Sequence, residues 1–138
     1  MAQNVSETLR ELYQSNGNKM VVSTLQGKQH EIFLSNDNKY FYSYTALQNG
    51  EIKLPISWFD SIVDFIKENG GRVKKGACRN DKVGCGKCTD GTLAYFVATE
   101  CFGKIDGESS LDPIFAVSAI LDNAGICRNE RGYLSLVI

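Results

Sequence analysis

An α+β fold is what the 138-residue sequence predicts, with a small antiparallel sheet early in the chain and a helix-rich remainder closed by a hairpin. Three observations carry this. Segments rich in β-branched and aromatic residues crowd positions 19–44, with turn formers between them. The stretch "PISWFDSIVDFIKENGG", beginning at Pro55, has the clearest helical periodicity in the chain. A second helical pattern follows Pro113, and a strand-like pair follows Gly125 at once.

The first element is a short helix in "SETLRELYQSNGN". Ser6 stands as its N-cap, Val5, Leu9, Leu12 and Tyr13 share one stripe, and Gly17 stops it. "KMVVSTL", "HEIFL" and "KYFYSY" then predict three short antiparallel strands, separated by "QGK" and "SNDN". "NGEIKLP" adds a turn and a fourth extended piece ended by Pro55. In the strong helix Ser57 is followed by Asp60 three residues later, a near capping box. Phe59, Ile62, Val63 and Ile66 recur at helical spacing, Trp58 and Phe65 widen that face, and Asn69-Gly70-Gly71 supplies a left-handed stop.

A basic loop over 72–87 comes next. "DGTLAYFVATECFGK" fits two periods, because Leu93, Phe96, Val97 and Cys101 suit a helix while Tyr95, Phe96 and Val97 suit a buried strand. Asp90 as cap and Gly103 as terminator favour the helix. In "GESSLDPIFAVSAILDNAGI" Ser110 or Asp112 is the cap, Pro113 the first helical residue, and Ile114, Val117, Ile120 and Leu121 the repeating apolar set. "ICRNERGYLSLVI" reads as two strands around a polar turn from Asn129 to Gly132. No repeat, low-complexity tract or linker interrupts the chain, so 1–54 and 55–138 are read as parts of one domain.

Composition is that of an ordinary globular chain, 43% hydrophobic and 22% charged, which argues against a disordered or fibrous class. No apolar run approaches the about 18 residues that span a bilayer. "MAQNVSETLRELYQ" lacks the basic start and apolar stretch of a secretory leader, so an intracellular, cytoplasmic protein is expected. Net charge is −1, which argues against a uniformly basic nucleic-acid binder. The charge is polarised, however. Arg72, Lys74, Lys75, Arg79, Lys82 and Lys87 face one acid, Asp81, giving +5 over 72–87, while 88–126 carry −5. Like-charge clusters mark interaction surfaces or solvated loops.

From Pro55 onward the order is helix, basic loop, helix, turn, helix, hairpin. With "FDSIVDFIKENGG" and "IFAVSAILDNAGICRNERGYLSL", this order resembles the winged-helix variant of the helix-turn-helix, over residues 55–138. The resemblance implies DNA binding, with the helix before the wing in the major groove. The chain departs from that pattern. The outward positions of this helix are expected to be Asp112, Ser118, Asp122 and Asn123, which include two acids and no Arg or Lys. The turn "GKIDGESS" is also longer than usual. If DNA is bound, the 72–87 loop with Arg128 and Arg131 of the wing would make the contact, through phosphates and with little sequence readout. An acidic helix would suit protein contacts instead.

Five cysteines cannot all pair, and without a leader reduced thiols are expected, with a metal favoured over a disulfide framework. Cys78, Cys85 and Cys88 read C-x6-C-x2-C, and "CGKC" is similar to a zinc knuckle. Cys101 would have to be the fourth ligand, since His30 lies some fifty residues upstream. The alternative is that Cys101 and Cys127 are small core residues and the others loop thiols, with Lys87 and Arg79 able to lower thiol pKa values.

Other chemistries are thinly represented. Asp37 with Glu51-Ile52-Lys53 matches the string of a metal-dependent nuclease, although Asp37 sits in a turn. A cysteine nucleophile would need His30 as its base. "GKIDGESS" and "NGGRVKKG" lack Walker spacing, and Asp60 with Asp64 reads as a solvated helix face. Tyr40, Tyr42 and Tyr44 share one strand face, expected to pack partly against the N-terminal helix, with base stacking or a protein hot spot as alternatives. The sequence therefore predicts a small non-catalytic module that binds duplex nucleic acid non-specifically. The alternatives are a protein-binding regulator or inhibitor, of the kind small phage and bacterial proteins often are, and a weak metal-dependent nuclease. No membrane partner and no cofactor are expected, with zinc as the option.

Overall fold

The computed structural model describes residues 4–137. Residues 1–3 of the stretch read for a leader, and residue 138 at the end of the hairpin segment, lie outside them. The elements are α1 (Val5–Gln14), β1 (Lys19–Ser23), β2 (Gln29–Leu34), β3 (Tyr40–Tyr42), β4 (Leu54–Pro55), α2 (Trp58–Glu68), β5 (Arg72–Lys74), α3 (Leu93–Phe96), α4 (Ile114–Asn123), β6 (Cys127–Glu130) and β7 (Tyr133–Leu136). A single 3-10 turn, Gln48–Gly50, precedes β4, and a π-helical turn, Val97–Cys101, continues α3. The fold is α+β.

Period-two alternation in β2 sets the first sheet. His30, Ile32 and Leu34 are buried on one side, while Gln29, Glu31 and Phe33 look outward. Sheet A runs β1-β2-β3-β4, each neighbour antiparallel, with Val22 opposite His30 and Phe41 opposite Leu34. Its inner face is covered by aromatic contacts from two helices. Tyr13 of α1 and Phe59 of α2 both meet Phe41, at ring centroid distances of 4.7 and 5.4 Å.

The helices begin and end differently from the sequence expectation at several points. Asn4, rather than Ser6, caps α1 by accepting the Glu7 N–H at 2.8 Å, and Ser6 is buried inside the first turn. Asp60 does not close a capping box on Ser57. Its carboxylate accepts the Ser6 N–H at 2.9 Å, tying α2 to the start of α1. The stop of α2 is as the glycines require. Gly71 N–H donates to Ile66 and Gly70 N–H to Lys67, with Gly70 at φ +86°. Thr92, not Asp90, caps α3.

The basic segment opens as strand rather than loop. β5 pairs antiparallel with β7, and β7 with β6, so sheet B has the order β5-β7-β6. The hairpin turn is two residues, Arg131 and Gly132, because Asn129 and Glu130 belong to β6. Helix α4 lies against β1 of one sheet and β6 of the other. Ile114, Ala116, Val117, Ser118, Ala119, Ile120 and Leu121 are all buried there. One hydrophobic cluster runs from Leu9 and Tyr13 through α2 and α4 to Leu134.

Two core substitutions should act with opposite sign. Ile120 is fully buried, and Ile120→Ala should lower unfolding free energy by about 2–5 kcal/mol in a urea titration. The Tyr13 hydroxyl is buried without a hydrogen-bond partner, so Tyr13→Phe should be neutral or stabilising. A loss above about 1 kcal/mol in Tyr13→Phe would mean that the hydroxyl is paired.

Candidate functional site

The six basic residues of 72–87 do not form one surface. Alternation in β5 turns Arg72 and Lys74 outward and Val73 into the core. Register sets Arg72 beside Ser135 and then Arg128, and Lys74 beside Tyr133 and then Glu130. The outer face of sheet B thus carries Arg72, Lys74 and Arg128, and Arg131 is exposed at the hairpin tip. The Arg72 guanidinium lies over the Tyr133 ring, 3.8 Å from its centroid, and its Nε is 3.3 Å from the Glu130 carboxylate. Ser135 also donates to that carboxylate. This hydrogen bond, then Arg72, holds Glu130 below the usual carboxylate pKa range.

Lys75 leaves the strand on the other side. Its ammonium donates to the Asn129 side-chain oxygen, and burial lowers its pKa, against opposing pulls from Asp122 and Glu130. Lys75 and Arg79 line a cleft with Lys28 of the β1–β2 turn and His30 of β2. Lys82 and Lys87 belong to a third place, a closed loop. Lys82 Nζ donates to Ser109 Oγ at 2.9 Å, and Val83 N–H to the Glu108 carbonyl, so this loop rests on the acidic turn that carries Asp106 and Glu108.

The closed loop depends on two glycines. A Cβ on Gly76 would stand 2.4 Å from the Lys87 carbonyl, and one on Gly86 would stand 2.4 Å from the Asp81 carboxylate. Asp81 uses that proximity to accept the Lys87 N–H at 3.0 Å. Both glycines are also left-handed, at φ +63° and +54°.

The expectation of reduced thiols is corrected at one pair: Cys78 and Cys88 form a disulfide across the loop. The four thiols weighed as zinc ligands are accordingly not gathered. Cys85 is exposed between the bonded pair, and Cys101 is at the end of the π-helical turn, half-buried. Among the described residues no three His, Cys, Asp or Glu side chains are grouped for a metal. Burial, with Glu100 secondary, pushes the Cys101 thiol up to about 12, and burial with Asp122 does the same to Cys127.

Two further expectations change. Of the four positions expected outward on α4, Asp122 and Asn123 are exposed, Asp112 precedes the helix and is half-buried, and Ser118 is fully buried; both acids also anchor backbone. Asp112 accepts the Cys78 N–H at 3.1 Å and the Ile114 N–H at 3.2 Å, while Asp122 accepts the Asn129 N–H at 2.7 Å. The tyrosines do not pack on α1, which covers the opposite face of sheet A. Phe33, Tyr40, Tyr42 and Tyr44 form a run of touching rings on the outer face, with Phe33 stacked on Tyr42 at 5.3 Å. His30 is buried, and its Nδ1 is 2.8 Å from Thr45 Oγ1.

Of the nuclease string, Asp37 and Lys53 line a shallow cleft beneath the tyrosines that Glu51 does not line. The Asp37 carboxylate is occupied in its turn by Ser35 Oγ and the Lys39 N–H, and the Ser35 bond lowers its pKa first. Sequence reasoning misses the contributions of Phe33 and Tyr133 to the two faces. Strand register alone could have revealed them. No helix among the described residues is long and apolar enough to cross a membrane. No protein-family model, curated protein or solved structure matches the chain.

Thiol counting tests the disulfide. A maleimide should modify Cys85 first in the native protein, three thiols after unfolding without reductant, and five after reduction. Reducing the bond should cost about 3 kcal/mol of stability for a loop of this length. Five reactive thiols in unreduced, unfolded protein would show that the bond is absent.

Proposed function

We propose that the chain is a small non-catalytic module that binds duplex nucleic acid non-specifically, inside the cell, through the outer face of sheet B. The observation that carries this is the register that aligns Arg72, Lys74 and Arg128 on one solvent face, with Arg131 at the tip of the same hairpin. Against these four cations the face holds one carboxylate, Glu130. Such a surface neutralises phosphates and reads little sequence. Tyr133 is held flat under Arg72, which keeps the guanidinium extended along the sheet rather than collapsed into solvent.

The winged-helix resemblance belongs to this proposal. Its support is the order α2, β5, α3, α4, then the β6–β7 hairpin. The burial of α4 alters how the resemblance would be used. A helix with seven of ten residues in the core cannot enter a major groove, so the wing and β5 would carry the contact.

A second proposal, a protein-binding regulator or inhibitor, draws on one specific feature. The rings of Phe33, Tyr40, Tyr42 and Tyr44 adjoin on the outer face of sheet A, and Tyr44 is 58% exposed. Contiguous tyrosines of this kind anchor protein interfaces.

Fluorescence anisotropy on a labelled 20-base-pair duplex separates the two. Affinity should fall steeply between about 50 and 200 mM salt, and R72A/K74A/R128A should flatten the log–log slope by roughly 2–3, about 0.9 for each phosphate no longer neutralised. Absence of binding at about 50 mM salt would sink the nucleic-acid proposal. The protein-binding alternative predicts a partner that the native chain retains and Y42A/Y44A does not.

A further inference from the structure

A second cationic site lies across the sheet from the first. Lys75 follows β5, Arg79 stands in the disulfide-closed loop, and Lys28 belongs to the β1–β2 turn, yet all three line one cleft of about 460 Å³. Asn129, which holds the Lys75 ammonium, alternates with Arg128 and Glu130 along β6 and so faces away from the outer surface of sheet B. The cleft is therefore distinct from the face carrying Arg72, Lys74 and Arg128.

Its own lining is cationic. Among the described residues no carboxylate lines the cleft, and Lys28, Lys75 and Arg79 make no ion pair. Counter-charge comes only from outside that lining, from Asp122 and Glu130 toward Lys75 and from Asp81 and Asp112, which share a neighbouring hollow with Arg79. Asp122 accepts the Asn129 N–H, and Glu130 accepts from Ser135 and Arg72. Like charges lining one cleft repel, and a bound anion relieves the part of that repulsion that the outer acids leave. Polar groups are held beside them, since Thr45 Oγ1 is fixed against His30 Nδ1 at 2.8 Å.

The apolar part of the cleft narrows the ligand class. Phe115 meets the His30 ring edge to face at 5.9 Å and is still 37% exposed, and Leu25, also in the lining, is 54% exposed. A simple anion would leave these surfaces in water. A ligand with a phosphate and a flat apolar ring would use both halves, and the volume lies within the about 300–1,000 Å³ typical of small-molecule sites. Arg79 and the two lysines suit phosphate through charge and several donors. We infer that this cleft binds a nucleoside phosphate, with its phosphates on Lys28, Lys75 and Arg79 and its base against Phe115 and Leu25.

Isothermal titration calorimetry on the full chain tests this with ADP, adenosine and pyrophosphate. ADP should bind saturably, and adenosine and pyrophosphate should each bind at least about tenfold more weakly, because each keeps only half of the interactions. R79A and K28A alter exposed side chains and should weaken ADP by about tenfold or more at unchanged thermal unfolding. K19A, a charge removal on the far strand edge, should leave ADP affinity as it is. No saturable ADP binding up to about 5 mM would overturn the assignment. So would full affinity in the R79A/K28A double variant, or pyrophosphate binding as tightly as ADP. Competition by a 5′-phosphorylated oligonucleotide, but not by its unphosphorylated twin, would identify a chain end as the source, and no competition a free nucleotide. Either result keeps the nucleoside phosphate, and neither depends on whether the sheet-B face binds duplex.

Discussion

Helix α4 must be covered along most of its surface, and the rest of the structure is arranged to do so. Its sequence, "IFAVSAILDN", has no polar stripe, and a helix apolar all round is stable only inside a core. Ala116 and Ala119 keep it slim enough for β1 to approach on one side and β6 on the other. Full burial of Val117, Ile120 and Leu121 contributes about 1.5–3 kcal/mol each, before the entropy of ordering them is subtracted. Neither sheet has an inner face complete enough to stand without this helix and α2. Their outer faces are left to solvent as a consequence, one aromatic and one cationic.

The same constraint determines what the acids of α4 do. Asp112 stands just before the helix and Asp122, itself exposed, near its end, and each accepts a backbone N–H from another segment. Asp112 reaches the Cys78 N–H at the mouth of the disulfide-closed loop, and Asp122 reaches the Asn129 N–H in β6. Lys75 is then held by Asn129, and Phe115 projects from the first turn of α4 toward His30. The cleft is thus assembled from segments that share α4 as their support, although they lie far apart in sequence.

Much of this was legible residue by residue. Period-two runs located β1 to β3, and Asn69-Gly70-Gly71 located the end of α2, because both signals are local and backbone-driven. What failed had its cause elsewhere in space. Asp60 lies three residues after Ser57, as a capping box requires, but the Ser6 N–H was a competing donor 54 residues away. Ser118 is polar and reads as solvent-facing, yet its small volume suits a tight helix–sheet contact. Alternation placed Tyr40, Tyr42 and Tyr44 on one face without saying which face α1 would cover. The loop cysteines resemble a metal clasp because spacing along the chain hides that Cys78 and Cys88, held by Gly76 and the Asp81 turn, lie next to each other. The basic cluster misleads for the same reason: six neighbours in sequence diverge to a sheet face, a cleft and a loop.

The two cationic regions differ in how their charge is prepared. On sheet B, Glu130 stays ionised through the Ser135 hydrogen bond and Arg72, so it fixes the guanidinium over Tyr133 while cancelling part of its charge. Arg72 therefore offers orientation, and Lys74, Arg128 and Arg131 supply most of the field. An exposed face of this kind is screened over about 8–10 Å at ordinary salt, which suits weak, sequence-tolerant contact with a polyanion. Among the described residues no carboxylate lines the cleft, and burial lowers the Lys75 pKa against the outer pull of Asp122 and Glu130. Lys28 and Arg79 are exposed, so it is the Lys75 contribution that is least screened by salt. The basic side chains are thus divided between a flat sheet face and a concave cleft, and the two proposed ligands differ in size for that reason.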